Sequence, residues 1–143
     1  MVSELSEQIV LVSELRKRKI VFCSVPNGGY RGKREAVRLK MSGVEKGVPD
    51  LLIFDPPPNE TEKSGVALEL KVKGGRVSKD QKRWLGLLEE RGWEVLVCYG
   101  ASEALQKLRE LGYEVQDAGA LYEHCSKTGE PSGSDPSSGD VTG

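Results

Sequence analysis

Cysteine is scarce in this 143-residue chain: Cys23, Cys98 and Cys125 are the full complement, with no C-x-x-C pair among them. An odd number without paired spacing supports neither a disulfide framework nor a zinc site. Cys23 and Cys98 stand in apolar, strand-like runs, which predicts small buried hydrophobes. The one histidine, His124, lies beside Cys125 near the tail, and no metal role is expected for either. No apolar run approaches a membrane span, and the N-terminus lacks a signal-peptide pattern, so a cytoplasmic protein is expected. Net charge is also nearly absent, at -1. That balance conceals an asymmetry. The residues from Glu114 onward carry six acids and one base, which leaves residues 1–113 with a net charge of +4. A basic body with an acidic tail is compatible with a polyanionic partner without proving one.

The length suggests a single domain with a modest core. Residues 4–18 predict an amphipathic helix with Leu5, Ile9, Val12 and Leu15 on its apolar face. Residues 20–25 are β-branched and apolar, a first strand ended by the turn-forming Pro26-Asn27-Gly28-Gly29. A short basic helix over 34–41 follows, broken by Gly43 and Gly47. Residues 51–54 predict a strand that Pro56, Pro57 and Pro58 cannot continue. Residues 66–72 predict the next strand, 78–91 a helix stopped by Gly92, 94–99 a strand rich in valine, and 101–111 a last helix before Gly112. This order predicts an α/β fold with a mixed central sheet flanked by helices. No internal repeat is found.

The residues with chemistry are Pro49-Asp50 and Glu69-Leu70-Lys71. Alternation along a strand puts Glu69 and Lys71 on one face and sends Leu68 and Leu70 into the core, so the charged pair is expected at the sheet surface. If the two strands pair, Asp50 lies beside Glu69. Two adjacent carboxylates repel each other and invite a divalent cation, and hard oxygen ligands suit Mg²⁺ or Mn²⁺. The Leu70 carbonyl is a further candidate ligand. Such a cation would serve phosphodiester hydrolysis, with Lys71 orienting or helping to deprotonate water, or offsetting charge in the transition state. Taken singly, each signal has a plainer reading: E-x-K is usually a surface ion pair and P-D usually a turn. Likewise, Ser78-x-x-Gln81 is a capping box, with Ser78 as N-cap and Gln81 reaching back to its N–H.

Four segments stand together in order: Pro26-Asn27-Gly28-Gly29, Gly47-Val48-Pro49-Asp50-Leu51, Ala67-Leu68-Glu69-Leu70-Lys71, and the run from Ser78 to Leu85. In this the chain resembles VRR-NUC domains, a branch of the PD-(D/E)xK nucleases, and in particular their compact stand-alone phage and bacterial members. The resemblance spans residues 4–113. It implies a restriction-endonuclease-like core over 1–113; residues 114–125 follow as an extension, and the aperiodic Ser-, Gly- and Pro-rich composition of 126–143 predicts a disordered acidic tail. It also implies catalytic roles for Asp50, Glu69 and Lys71, with Gln81 supporting the site or contacting substrate. A helical acid that reaches the metal, often through water, matches Glu7, with Glu14 two turns later as the alternative. One Gln81 amide is expected to serve cap and site only partly. The family's name valine is Ala67 or Leu68 here, a mild departure that leaves the charged set intact.

Basic residues flank this set on both sides. Arg31, Lys33, Arg34, Arg38 and Lys40 precede Asp50, and Lys73, Arg76 and Lys79 follow Lys71; they could grip phosphates with little sequence preference. Trp84, Leu85 and Leu88 fit a buried helix face, and Trp93 is expected to pack. The resulting expectation is a Mg²⁺- or Mn²⁺-dependent DNA endonuclease, structure-selective and, as the resemblance to small VRR-NUC proteins implies, a homodimer like those of Holliday-junction resolvases. A noncatalytic DNA-binding module and a protein-interaction adaptor with an acidic tail are the alternatives.

Overall fold

Local capping sets the ends of the first helix. In the computed structural model, which describes residues 2–26, 32–117 and 119, Ser3 and Ser6 form a capping box at the start of α1 (Glu4–Lys17). Glu4 and Glu7 occupy its first turn, Arg16 and Lys17 its last, each sign where the helix dipole favours it. The elements then follow as β1 (Phe22–Ser24), α2 (Lys33–Met41), β2 (Leu51–Ile53), β3 (Val66–Lys71), α3 (Lys79–Glu90), β4 (Glu94–Tyr99) and α4 (Ala101–Glu110). This is the order that periodicity and turn residues predict. Asn27 to Arg31, including the Gly28-Gly29 turn, lie outside the described residues, as do His124, Cys125 and the 126–143 tail.

The sheet is four-stranded in the order β1-β2-β3-β4. β1, β2 and β3 run antiparallel, with Leu51 opposite Leu68. β4 runs parallel to β3, with Leu68 opposite Leu96, because α3 provides the crossover that a parallel pair needs. The result is the mixed α/β sheet flanked by helices that the sequence predicts. α1 and α4 supply Leu11, Leu15, Leu105 and Leu108 to a core completed by Leu51, Ile53, Leu68, Leu70 and Cys98. Packing continues past residue 113: Val115 joins the core, and the Gln116 N–H is bonded to Glu14 Oε1 at 2.7 Å.

Three sequence expectations are corrected here. The buried face of α1 is Leu11, Glu14 and Leu15, while Leu5 and Ile9 remain 68% and 57% exposed. A charged residue holds a core-facing position because Arg18 and the Gln116 N–H satisfy one of its carboxylate oxygens, and that rotates the buried stripe. Cys23 is exposed rather than buried, since β1 is the edge strand of the sheet; Cys98 is buried as expected. On α3 the expected apolar face is only half-buried, with no residue fully enclosed. Trp93 does pack, edge-on against Phe54 with ring centroids 6.2 Å apart.

The opposite edge of the sheet is sealed by side chains. Lys107 Nζ donates to the Val97 carbonyl at 3.0 Å and Glu103 accepts from the Tyr99 N–H, so α4 occupies ladder positions that a further strand would need. No helix among the described residues is long and apolar enough to cross a membrane.

Candidate active site

Antiparallel pairing of β2 with β3 determines where the two acids meet. Leu51 is opposite Leu68, so continuing the register by one residue puts Asp50 opposite Glu69. Asp50 Oδ2 accepts from the Leu70 N–H at 2.8 Å, and its own carbonyl accepts from the Val25 N–H at 2.8 Å. The central strand thus holds the Asp50 carboxylate through its own backbone. One step further along the register, Pro49 falls opposite Leu70. Proline has no N–H, so it cannot make the ladder bond that the Leu70 carbonyl would otherwise receive.

Glu69 and Lys71 share the face of β3 opposite the Leu68–Leu70 core, as alternation requires. They are not at an open surface, however. Every residue of β3 is buried, with Glu69 3% and Lys71 8% exposed. β3 is an inner strand of the sheet, and the start of α3 covers its polar face. Gln81 Nε2 donates to Glu69 Oε1 at 2.8 Å, and Lys71 Nζ stands 3.6 Å from the same oxygen. The approach of α3 depends on Gly47, whose φ is +89°; a Cβ there would lie 2.5 Å from the Asp80 carbonyl carbon. Only glycine permits both that backbone conformation and that contact.

Gln81 fills both roles at once. Its carbonyl accepts from the Ser78 N–H at 2.8 Å, closing the capping box, and its NH₂ serves Glu69. The expected competition does not arise, because cap and site draw on opposite ends of the amide.

The electrostatics follow from burial. Glu69 is pushed up to about 7, first by its removal from water and then by the neighbouring Asp50 charge; Lys71 opposes the rise only in part. Two carboxyl groups close enough to share a proton, one of them desolvated, form a site that a divalent cation would relieve. The donor set is hard oxygen throughout, which fits Mg²⁺ or Mn²⁺ and does not fit a soft metal. Asp50, Glu69 and the Leu70 carbonyl are the groups here that could hold such an ion.

The two helical candidates separate. Glu7 Oε1 lies at Gly100, where an added Cβ would be 3.4 Å away, and the Gly100 N–H is bonded to the Lys71 carbonyl. Glu7 is thus placed beside Gly100, at the end of β4 next to the Lys71 end of β3. Among the described residues no trio of His, Cys, Asp or Glu is gathered closely enough to hold a metal ion. Glu14 instead bonds Arg18 Nε at 2.7 Å and the Gln116 N–H. Burial pushes its carboxyl up, but those bonds outweigh it and hold Glu14 below the usual range. Glu14 is thus held by Arg18 and the Gln116 backbone, in bonds that tie α1 to the 113–117 segment.

Sequence reasoning missed Tyr99, which falls opposite Lys71 in the parallel register. Its hydroxyl donates to the Gly75 carbonyl at 3.1 Å, and Gly75 packs on the Lys71 stem, where an added Cβ would sit 3.5 Å from Cδ. A parallel alignment of residue 66 with residue 94 would have found it. The basic residues Lys33, Arg34, Arg38, Lys40, Lys73, Arg76 and Lys79 are all exposed, and none forms an ion pair with another described residue. Arg31 lies outside the described residues.

Paired acids and a lysine on adjoining strands of a mixed sheet are the arrangement of a PD-(D/E)xK-type nuclease core. Residues 2–102 match the VRR-NUC domain, and the chain belongs to that family, whose domains are of nuclease type. A solved structure described as "VRR_NUC domain protein" shares the fold, with a TM-score of 0.62 at 20% identity over 78% of this chain and 89% of that one. No curated protein matches the sequence.

Proposed function

We propose that this protein is a Mg²⁺- or Mn²⁺-dependent DNA endonuclease that prefers branched or otherwise distorted DNA and works as a homodimer, as Holliday-junction resolvases do. The observation that carries the reading is the half-buried Asp50 carboxylate beside the buried Glu69, with Lys71 3.6 Å from Glu69. A structural ion pair would not need a second acid beside the first, because the added carboxylate only raises the cost of burial.

When bound, a divalent ion would supply charge to the phosphate oxygens and lower the pKa of a water molecule. The chain's own residues do the remaining work. Asp50 and Glu69 are pre-positioned by the Leu70 N–H and by Gln81, so little reorganisation is needed on binding. Lys71 places an ammonium beside Glu69, where it can orient water or offset charge on a phosphate. The exposed cations on α2 and in the 72–79 segment grip the flanking backbone, which gives salt-dependent affinity.

The test is cleavage of supercoiled plasmid and a four-way junction with Mg²⁺, with Mn²⁺ or with EDTA, by wild type, Asp50→Asn and Lys71→Ala. Metal-dependent cutting that both variants lose, with melting and DNA binding retained, supports the proposal. Tight DNA binding with no cutting under any metal would instead favour the noncatalytic module.

A further inference from the structure

The outer face of α2 combines two chemistries that seldom sit together on an uncovered helix. None of its residues is buried, and Leu39 alone is half-buried. Val37 and Met41 are 58% and 84% exposed. They stand four residues apart, one turn, and therefore form a single ridge. Each cation of the helix is three or four residues from one of them: Lys33, Arg34 and Lys40 from Val37, and Arg38 from Met41. By the same spacing rule the one acid, Glu35, is no neighbour of either and falls on the side of Leu39. The ridge is thus apolar along its crest and positive on both flanks. Water solvates the cations well but gains nothing from the crest, and no other element of the described chain buries it.

We infer that α2 is a wedge for DNA whose base stacking is already interrupted, with Val37 and Met41 entering the broken stack while the flanking cations hold the phosphates on either side. Charge complementarity selects the occupant. An apolar protein surface would leave four cations to be desolvated, whereas nucleic acid offers apolar base faces lined by anions at the spacing of a groove. Position agrees as well. α2 leads through a short link to Gly47, packed on the start of α3, and then directly to Asp50. The inference rests on the proposed endonuclease reading and gives its structure preference a cause. An intact duplex must first be unstacked, at a cost that a branch, flap or mismatch has already met.

The experiment measures binding in EDTA, where no cutting occurs, on a junction and a linear duplex, each with 2-aminopurine at its centre. Wild type is expected to brighten the junction probe and leave the duplex probe dim. Val37→Ser with Met41→Ser should abolish that rise and weaken junction affinity about ten-fold while changing duplex affinity less than about two-fold, in line with a lost apolar wedge. Arg34→Gln with Arg38→Gln should weaken both DNAs and reduce the slope of log affinity against log salt by about two. Both pairs are exposed, so melting is unchanged. Equal loss on both DNAs, or no fluorescence difference from wild type, overturns the wedge. So does loss of a solution dimer on sedimentation with DNA binding intact, which would assign the ridge to a second copy. Plasmid cleavage is scored separately, so the endonuclease reading can survive failure of the wedge, and the wedge's binding signature can survive failure of cleavage.

Discussion

Replacing Glu69 by glutamine should stabilise the metal-free protein at pH 8 while destroying its activity. The folded state holds the Glu69 proton up to about pH 7, whereas the unfolded chain releases it near 4.5. The folded protein therefore binds more protons between those values, and its stability falls as pH rises from about 4.5 to 7, then stays low. The full interval corresponds to about 3 kcal/mol, or a melting shift on the order of 10 °C for a domain of this size. Glutamine has the same shape and removes the slope. Its carbonyl can still accept from Gln81, and its NH₂ can donate to Asp50. Thermal melts in EDTA should show the variant above wild type at pH 8 and within about 1 kcal/mol of it at pH 5, where the wild-type carboxyl is still protonated. Adding Mg²⁺ at pH 8 should raise the wild type by mass action and leave the variant unmoved. A variant that melts below wild type at pH 8, or by the same margin at both pH values, would refute the idea that apposed carboxylates strain this site.

Three further substitutions divide structural from catalytic roles. Ser78→Ala removes the cap alone and should cost about 1 kcal/mol with little change in cleavage per folded molecule; Gln81→Ala removes cap and Glu69 bond together and should lower both melting temperature and kcat. Glu14→Ala should destabilise by about 1–2 kcal/mol, mainly by leaving the Gln116 N–H without its acceptor, since Arg18 is exposed and is resolvated by water, yet preserve metal-dependent cutting. Because the Glu14 carboxyl is held below its usual range, its contribution is present above pH 4.5 and lost as acid protonates it, which urea titrations across pH 3 to 6 would follow. Tyr99→Phe deletes only the bond to Gly75 and should reduce kcat about 5-fold, the equivalent of one neutral hydrogen bond; a rise in KM with kcat intact would move Tyr99 from positioning Lys71 to contacting DNA.

The elements were legible because each carries its own local signal. Alternation shows in Val66–Lys71, capping in Ser78 and Gln81, and turn chemistry in Gly92 and Gly112, and none of these depends on distant residues. What local pattern could not reveal was which face of α1 turns inward. Leu5 and Ile9 keep the period of a buried stripe, but Glu14 is accepted into the core because Arg18 and Gln116, the latter a hundred residues away, both donate to it. The exposure of Cys23 has the same origin. A strand of apolar residues reads alike at the edge and in the middle of a sheet, and strand order is a long-range property.

The site shows the same division more sharply. Asp50, Glu69 and Lys71 could be named from their types and spacing, yet the feature that makes them chemically unusual, the elevated Glu69 carboxyl, comes from what covers them. α3 closes over β3 because Gly47 lets its first turn approach, and that approach brings Gln81 to the carboxylate and removes water from it. An E-x-K on an open strand would be an ordinary solvated ion pair. Enclosed beside Asp50, the same three residues cost stability at neutral pH, and a cation is the group best able to recover it. The glycine at 47, which carries no functional group, is therefore as necessary to the proposed chemistry as the charged residues it allows to be buried.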